Sequence, residues 1–319
     1  MENTKKKSYI CNVNAWHAHE RKWLQSSNVT QNFLLDNYNI INIISPYEAG
    51  INILASNKLR EFAKNKELNI YLGCPDNKLW RSHHKNEIIF NANYFFDSLF
   101  WIPRTYREFR LDNNDNLINQ LTYTPIDKIF VSLNNRPYRW RCLLLDYLQK
   151  FDLIRYGAVS WHQYYDYKFE YWKQKIMLLD EAYPKKFDQY VTIPKEYGTS
   201  FMNLISETTI EHIFITEKTA TAIYAKKPFL IWGAPGIHKF LADNGFLLYT
   251  EIFDYSFDEV DNDKLRLIMI LQQVENLKNT DLHKLRMLLI KKLNKNFKWA
   301  CKVRKQWYKN HKNFNLYTP

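Results

Sequence analysis

The stretch Ser206–Gly236, "SETTIEHIFITEKTATAIYAKKPFLIWGAPG", decides how this chain is read. It holds Glu207, a Thr-Glu-Lys triplet at Thr216–Lys218, and an apolar run closed by Gly233-Ala234-Pro235-Gly236. The chain has only seven glycines, and two of them stand in this turn. Thr216 is a good N-cap, so the spacing predicts a helix starting at Glu217 with Lys218 in its first turn. The first turn of a helix offers unpaired backbone N–H groups and a positive dipole end, which favour a phosphate. A lysine there adds a point charge for a diphosphate, and an adjacent glutamate can accept hydrogen bonds from ribose hydroxyls. Gly233 and Gly236 allow backbone to approach a ligand closely. A plainer reading, a capped helix with a surface ion pair and an ordinary turn, fits the same residues.

Working outward, the pattern alternates short apolar runs with amphipathic segments. "SYICNV", "YNIINIIS" and "LNIYLGC" read as strands, with "NILASNKLREFAKNK" as a helix between the last two. The aromatic-rich "LWRSHHKNEIIFNANYFFDSLFWIP" resists assignment. After the polar "LDNNDNLINQ", "DKIFVSLN" reads as a strand and "NRPYRWRCLLLDYLQKF" as a helix. "YDYKFEYWKQKIMLLDEAYPKKFDQY" reads as helix and then loop. "FMNLISE", "PFLIWG" and the short "FLLYTE" read as strands, "TEKTATAIYAKK" and "IHKFLADNG" as helices, and the chain from Lys264 onward as helical. This predicts an α/β fold with two Rossmann-like domains facing a cleft. The expected divisions are residues 1–125, 126–281 and a basic C-terminal helix at 282–319. In open α/β sheets ligands sit outside the carboxyl ends of the strands, which is where the Thr-Glu-Lys triplet and the glycine turn fall.

Composition narrows the class. At 46% hydrophobic and 16% aromatic, the chain has ample material for a packed core. Cys11, Cys74, Cys142 and Cys301 are far apart with no CxxC pair, which argues against a zinc ribbon or a disulfide framework. The N-terminal segment lacks the apolar run of a signal peptide and no stretch is long enough to span a membrane. The expectation is a cytoplasmic, non-secreted protein, or one peripheral to an anionic surface. Eleven of the 45 basic residues fall from Leu282 onward, where no acid occurs, so nearly all of the formal +12 sits in the tail.

The Ser206–Gly236 stretch resembles the donor-binding motif of the α-1,3-fucosyltransferase family. That motif has a Glu in an F-E-N-S-like segment, an aromatic residue seven positions on that opens Y-I-T-E-K, then a helix and an apolar strand ending at Gly-Pro. Here Glu207 is followed by Phe214-Ile215-Thr216-Glu217-Lys218, then by Ala222, "PFLIWG" and Pro235. Upstream, "FVSLNN" leads to Arg141, Ile154 and Gly157 in the family's register. The match runs from about Phe130 to Asp254 and departs from the family at "ISET". The resemblance implies a GT-B-type glycosyltransferase with a nucleotide-sugar co-substrate, most readily a GDP-sugar, and no other cofactor. It implies Glu217 on the ribose, Lys218 and Arg141 on the diphosphate, and Glu207 near the sugar, with Thr216, Gly233 and Gly236 shaping the site.

Such a transfer needs a base for the acceptor hydroxyl. The N-terminal half offers His17, Glu20 and Glu48 at strand ends, with His19 and the His83-His84 pair beside them, and the sequence does not choose among them. Asp261-Asn262-Asp263 has the look of a metal pair but precedes a helix, where capping explains it better; no metal is expected. In the tail, Leu285, Leu289, Leu293, Ala300, Val303 and Trp307 recur near helical spacing among lysines and arginines. One reading is a terminal helix packed by its apolar stripe. The other is an anion-binding surface, with Lys298, Lys302, Arg304 and Lys305 facing a nucleic acid, an anionic membrane or an acidic glycan, and Phe297, Trp299, Trp307 and Tyr308 interleaved. A glycan acceptor is favoured over nucleic acid. The alternatives are a transferase acting on hydroxylated DNA bases and a non-catalytic nucleic-acid-binding protein.

Overall fold

The computed structural model describes residues 8–12, 40–45, 67–72, 87–91, 99, 125–134, 138–161, 167–172 and 195–311. The chain separates into two compact units, one comprising Met1–Asp97 with Gln306–Pro319 and the other Ser98–Lys305. The first contains a parallel sheet of four strands in sequential order: β1 (Ser8–Asn12), β2 (Ile40–Ser45), β3 (Glu67–Leu72) and β4 (Glu87–Asn91). The strand β4 lies inside the aromatic-rich segment that the sequence left unassigned.

The second unit is built on another parallel sheet, of β5 (Lys128–Asn134), β6 (Gly157–Trp161), β7 (Ser200–Ser206) and β8 (Phe229–Trp232), in the order β6-β5-β7-β8. All seven residues of β7 and all four of β8 are buried. Strands covered on both faces read as largely apolar runs rather than alternations: "FLIW" has no polar residue, and in "FMNLIS" the buried Asn203 is matched by the Tyr197 hydroxyl. Around this sheet lie helices α1 (Arg139–Lys150), α2 (Lys195–Thr199), α3 (Glu217–Tyr224), α4 (Ile237–Asp243) and α5 (Asp263–Glu275). Helix α6 (Leu282–His311) follows. Helix α1 buries Cys142, Leu144, Leu145 and Leu148, and α5 buries Leu267, Ile270, Leu271 and Val274. Each such leucine contributes roughly 1.5–3 kcal/mol by leaving water.

Two sequence expectations change. The helix expected from "YDYKFEYW" is absent over residues 167–172, because the buried carboxylate of Asp146 accepts the amides of Glu170, Tyr171 and Trp172. The backbone of this segment thus spends its N–H groups on a side-chain acceptor, the local competition with helical hydrogen bonding that a carboxylate can offer. Nor is "FLLYTE" a strand. The side-chain amide of Asn296 on α6 takes both the N–H and the C=O of Leu247, and Lys292 donates to the carbonyl of Leu248. Side chains thus do for this segment what a neighbouring strand would have done. The tail itself is helical to His311, and its apolar stripe packs as its spacing predicts: Leu289, Leu293 and Ala300 are buried.

Candidate functional site

The order β6-β5-β7-β8 contains one reversal. From β5 the chain moves outward to β6, then returns across β5 to lay down β7 and β8. The carboxyl ends of β5 and β7 therefore flank a switch point, where connections leave toward opposite sides and open a crevice. The β5–β7 register pairs Lys128 with Ser200 and Val131 with Asn203; carried to the strand ends, it sets Asn134 beside Ser206. Both residues are buried, and among the described residues Asn134 Oδ1 and Ser206 Oγ have no hydrogen-bond partner. Buried polar atoms are seldom left so.

Two helix starts converge here. Trp140 of α1 donates its indole N–H to the carbonyl of Glu207 at 3.0 Å. The buried Arg141 donates to the carbonyl of Ser206 at 3.4 Å and lies over the ring of Tyr138. Helix α3 begins as its sequence predicts. Thr216 caps it by accepting from the Lys218 amide, and Glu217 stands in the first turn, where a negative charge complements the dipole.

Beneath the cap lies Glu207, with its side chain wholly buried. It accepts the Thr216 N–H at 3.1 Å, the Thr216 hydroxyl at 2.6 Å and the Thr219 hydroxyl at 3.2 Å. The Lys218 ammonium lies 3.5 Å from the same carboxylate, 3.8 Å from Glu217 and 2.9 Å from Thr216 Oγ1. A buried carboxylate is tolerated only with such a set of donors. Lys218 and Glu217 keep 21% and 29% of their side chains exposed, so both reach solvent from this anchored base. The structure thus brings Glu207, Thr216, Glu217, Lys218 and Arg141 to one strand edge.

The glycine turn closes the next strand end. A Cβ on Gly233 would come 3.7 Å from Cβ of Glu207, which locates the turn beside it. Gly236 adopts φ of 77° and leads into α4. The α4 amides are already engaged. Asp258 accepts from the backbone N–H groups of His238 and Lys239, and Gly236 N–H donates to the Asp258 carbonyl at 2.7 Å. His238 completes the arrangement, with Nδ1 on Asp258 at 2.8 Å and Nε2 accepting the Ile231 amide at 3.1 Å, so the neutral ring carries its proton on Nδ1. Burial raises the Asp258 pKa, but the His238 ring and the α4 amides outweigh it and hold the carboxyl below its ordinary value.

The Asp261–Asp263 triplet does structural work. Asn262 caps α5 through the Leu265 amide, and Asp263 pairs at 2.6 Å with Arg266, which also donates to the Gly233 carbonyl. Among the described residues no group of three or more His, Cys, Asp or Glu side chains could hold a metal ion. His17, His19, Glu20, Glu48, His83 and His84 lie outside the described residues. In the tail, Lys298, Lys302 and Lys305 are exposed, whereas Arg304 is only half-exposed and lies near the hydroxyl of Tyr224. Sequence reading passed over Asn134, Ser206 and Trp140. Position at the carboxyl end of a strand, or at the start of the following helix, was the one signal that could have marked them.

No family model matches the chain, and no curated relative does. Among solved structures, three are similar to it along most of its length. All three are crystal structures of α1,3-fucosyltransferase. The one solved with GDP covers 100% of this chain and 95% of its own at 13% identity, with a TM-score of 0.42. The one solved with GDP-fucose covers 92% and 93% at 12% identity, with a TM-score of 0.39. The third covers 92% of both chains at 14% identity and scores 0.37. Superpositions this shallow leave the function to be read from the site's own geometry.

Proposed function

We propose that this protein is a glycosyltransferase that binds a nucleotide-diphosphate sugar, with GDP-fucose-like donors the first choice, and passes the sugar to a hydroxyl of a glycan acceptor. The observation that carries this reading is the convergence of two cationic helix starts on the β5–β7 switch point. Arg141 and Lys218 are placed to neutralise a departing diphosphate, so the transfer proceeds without a metal ion. The start of α3 supplies the phosphate end of the site, because Asp258 already occupies the start of α4. Glu217 accepts from the ribose hydroxyls. Asn134 Oδ1 and Ser206 Oγ provide buried polar partners deeper in the crevice. Glu207 acts through Thr216 and Lys218: it fixes the cap and holds the lysine against its own helix dipole until a phosphate replaces that contact. The base that takes the acceptor proton is assigned to the N-terminal unit, among His17, Glu20 and Glu48.

The test is direct binding of GDP, UDP, CMP, ADP and their sugar conjugates, read by thermal shift and calorimetry. One nucleotide diphosphate should raise the melting midpoint by mass action. Lys218→Ala should weaken it about 10- to 100-fold, as expected for a charge-assisted hydrogen bond of about 1.5–3 kcal/mol. Absence of binding by every nucleotide overturns the reading.

A further inference from the structure

The outward face of α6 has no part in the proposed donor site, yet it carries a continuous row of exposed lysines. Lys284, Lys291, Lys295, Lys298, Lys302 and Lys305 are all exposed and recur at spacings of three, four or seven. That spacing places them on one side of a helix. At about 1.5 Å per residue the row runs about 30 Å. None of these six forms an ion pair among the described residues, and from Leu282 onward the chain contains no acid to screen them. Lys292, on the inward side, is the exception: it pairs with Glu251 at 2.6 Å and donates to the Leu248 carbonyl. In line with the exposed lysines stand Met287 and Leu288, 64% and 58% exposed, the two most exposed large apolar side chains among those described.

We infer that this face docks on an anionic lipid surface, with the lysines on the headgroups and Met287 and Leu288 entering between them. Charge complementarity alone admits any polyanion; two features select a membrane. The first is the apolar pair, which a phosphate backbone does not use and an acyl boundary does. The second is the fate of the aromatic residues. Binding of single-stranded nucleic acid needs open ring faces on which bases stack. Here Trp299 packs against Gly245 and gives its indole N–H to the Asn244 carbonyl at 2.8 Å. Phe297 lies edge-on to Tyr224 with the Lys226 ammonium over its ring. Both rings are engaged inside the unit, and among the described side chains of α6 the exposed lysines and the apolar pair are what this face presents. No helix among the described residues is long and apolar enough to cross a membrane. The inference stands independently of the donor site.

The full chain would be sedimented with vesicles of phosphatidylcholine alone and of phosphatidylcholine mixed with phosphatidylserine. Binding is expected to the mixed vesicles only, and to weaken as salt is raised. Lys291→Glu/Lys295→Glu/Lys298→Glu should lower partitioning at least about tenfold, since each lysine near an anionic leaflet contributes on the order of one power of ten or less. Met287→Ser/Leu288→Ser should lower it severalfold while leaving the salt dependence unchanged. Circular dichroism melts would establish that both variants are folded. Equal binding to neutral vesicles overturns the inference, as does indifference to the charge reversals. Binding of duplex or single-stranded DNA by the same lysines, without vesicle binding, also overturns it.

Discussion

Thr216 Oγ1 lies 2.6 Å from Glu207 Oε2, so the hydroxyl that caps helix α3 is itself held by a carboxylate buried at the end of β7. The cap accepts from the Lys218 amide and donates to Glu207, which makes the start of α3 a rigid extension of the sheet edge. Glu207→Gln replaces one acceptor with an N–H₂ facing Thr216 and should lower stability by about 1–3 kcal/mol. It should also weaken nucleotide binding without touching the ligand. Thr216→Ala should weaken binding similarly, and the double variant should fall well short of the sum of the two singles, because both act through one hydrogen bond. Additive losses in calorimetric affinity would sink this positioning role.

Gly157 is the register partner of Phe130 across β5 and β6, and a Cβ at Gly157 would clash with Cζ and Cε2 of the Phe130 ring. Phe130 is fully buried and has no open side to move toward. Gly157→Ala should therefore destabilise the second unit by about 1–3 kcal/mol through overpacking. Phe130→Leu in the same chain should restore part of that loss in a denaturant titration. No recovery would mean that the glycine serves some other purpose.

The carboxylate of Asp146 holds the 170–172 segment through amides at 2.9, 2.6 and 2.7 Å. An amide side chain can accept in only one of its two positions, so Asp146→Asn should leave at least one of these donors unmet, at a cost of about 1–3 kcal/mol. Hydrogen exchange at Tyr171 and Trp172 should accelerate before exchange in β5 or β7 changes. Simultaneous acceleration everywhere would show that the carboxylate supports the whole unit rather than this segment.

Asp258 is held below the ordinary aspartate value of 3.8 by the His238 ring and the α4 amides, against the effect of burial. A carboxyl whose folded pKa is depressed stabilises the fold above its unfolded value, and that contribution disappears as pH falls through the folded value. The melting temperature should therefore drop as pH falls below 3.8, and Asp258→Asn should reduce that slope while lowering stability at neutral pH. An unchanged acid slope in the variant would remove Asp258 from the account.

The amino-acid sequence by itself determined the local elements of this protein. Thr216 before Glu217 fixes a capped helix start, since the capping geometry involves residues only two apart. The run Phe229–Trp232, and Phe201–Ile205 with Asn203 as its one polar residue, fix buried strands, because no solvent face is left for polar alternation. The leucines of the tail fix which side of α6 packs inward. What the tertiary structure decided depends on contacts far apart in the chain. Strand order is one: no periodicity near Phe130 or Leu204 reveals that β7 returns to the free side of β5 and so creates the switch point between Asn134 and Ser206. The role of Glu207 is another, because its donors become neighbours only when β7 lies beneath α3. The same holds for "FLLYTE" and the 167–172 segment, whose local propensities are overridden by Asn296 and Asp146 offering their backbones closer partners. A residue's propensity is a matter of fractions of a kcal/mol, and a buried hydrogen-bonding group left without its partner costs more than that.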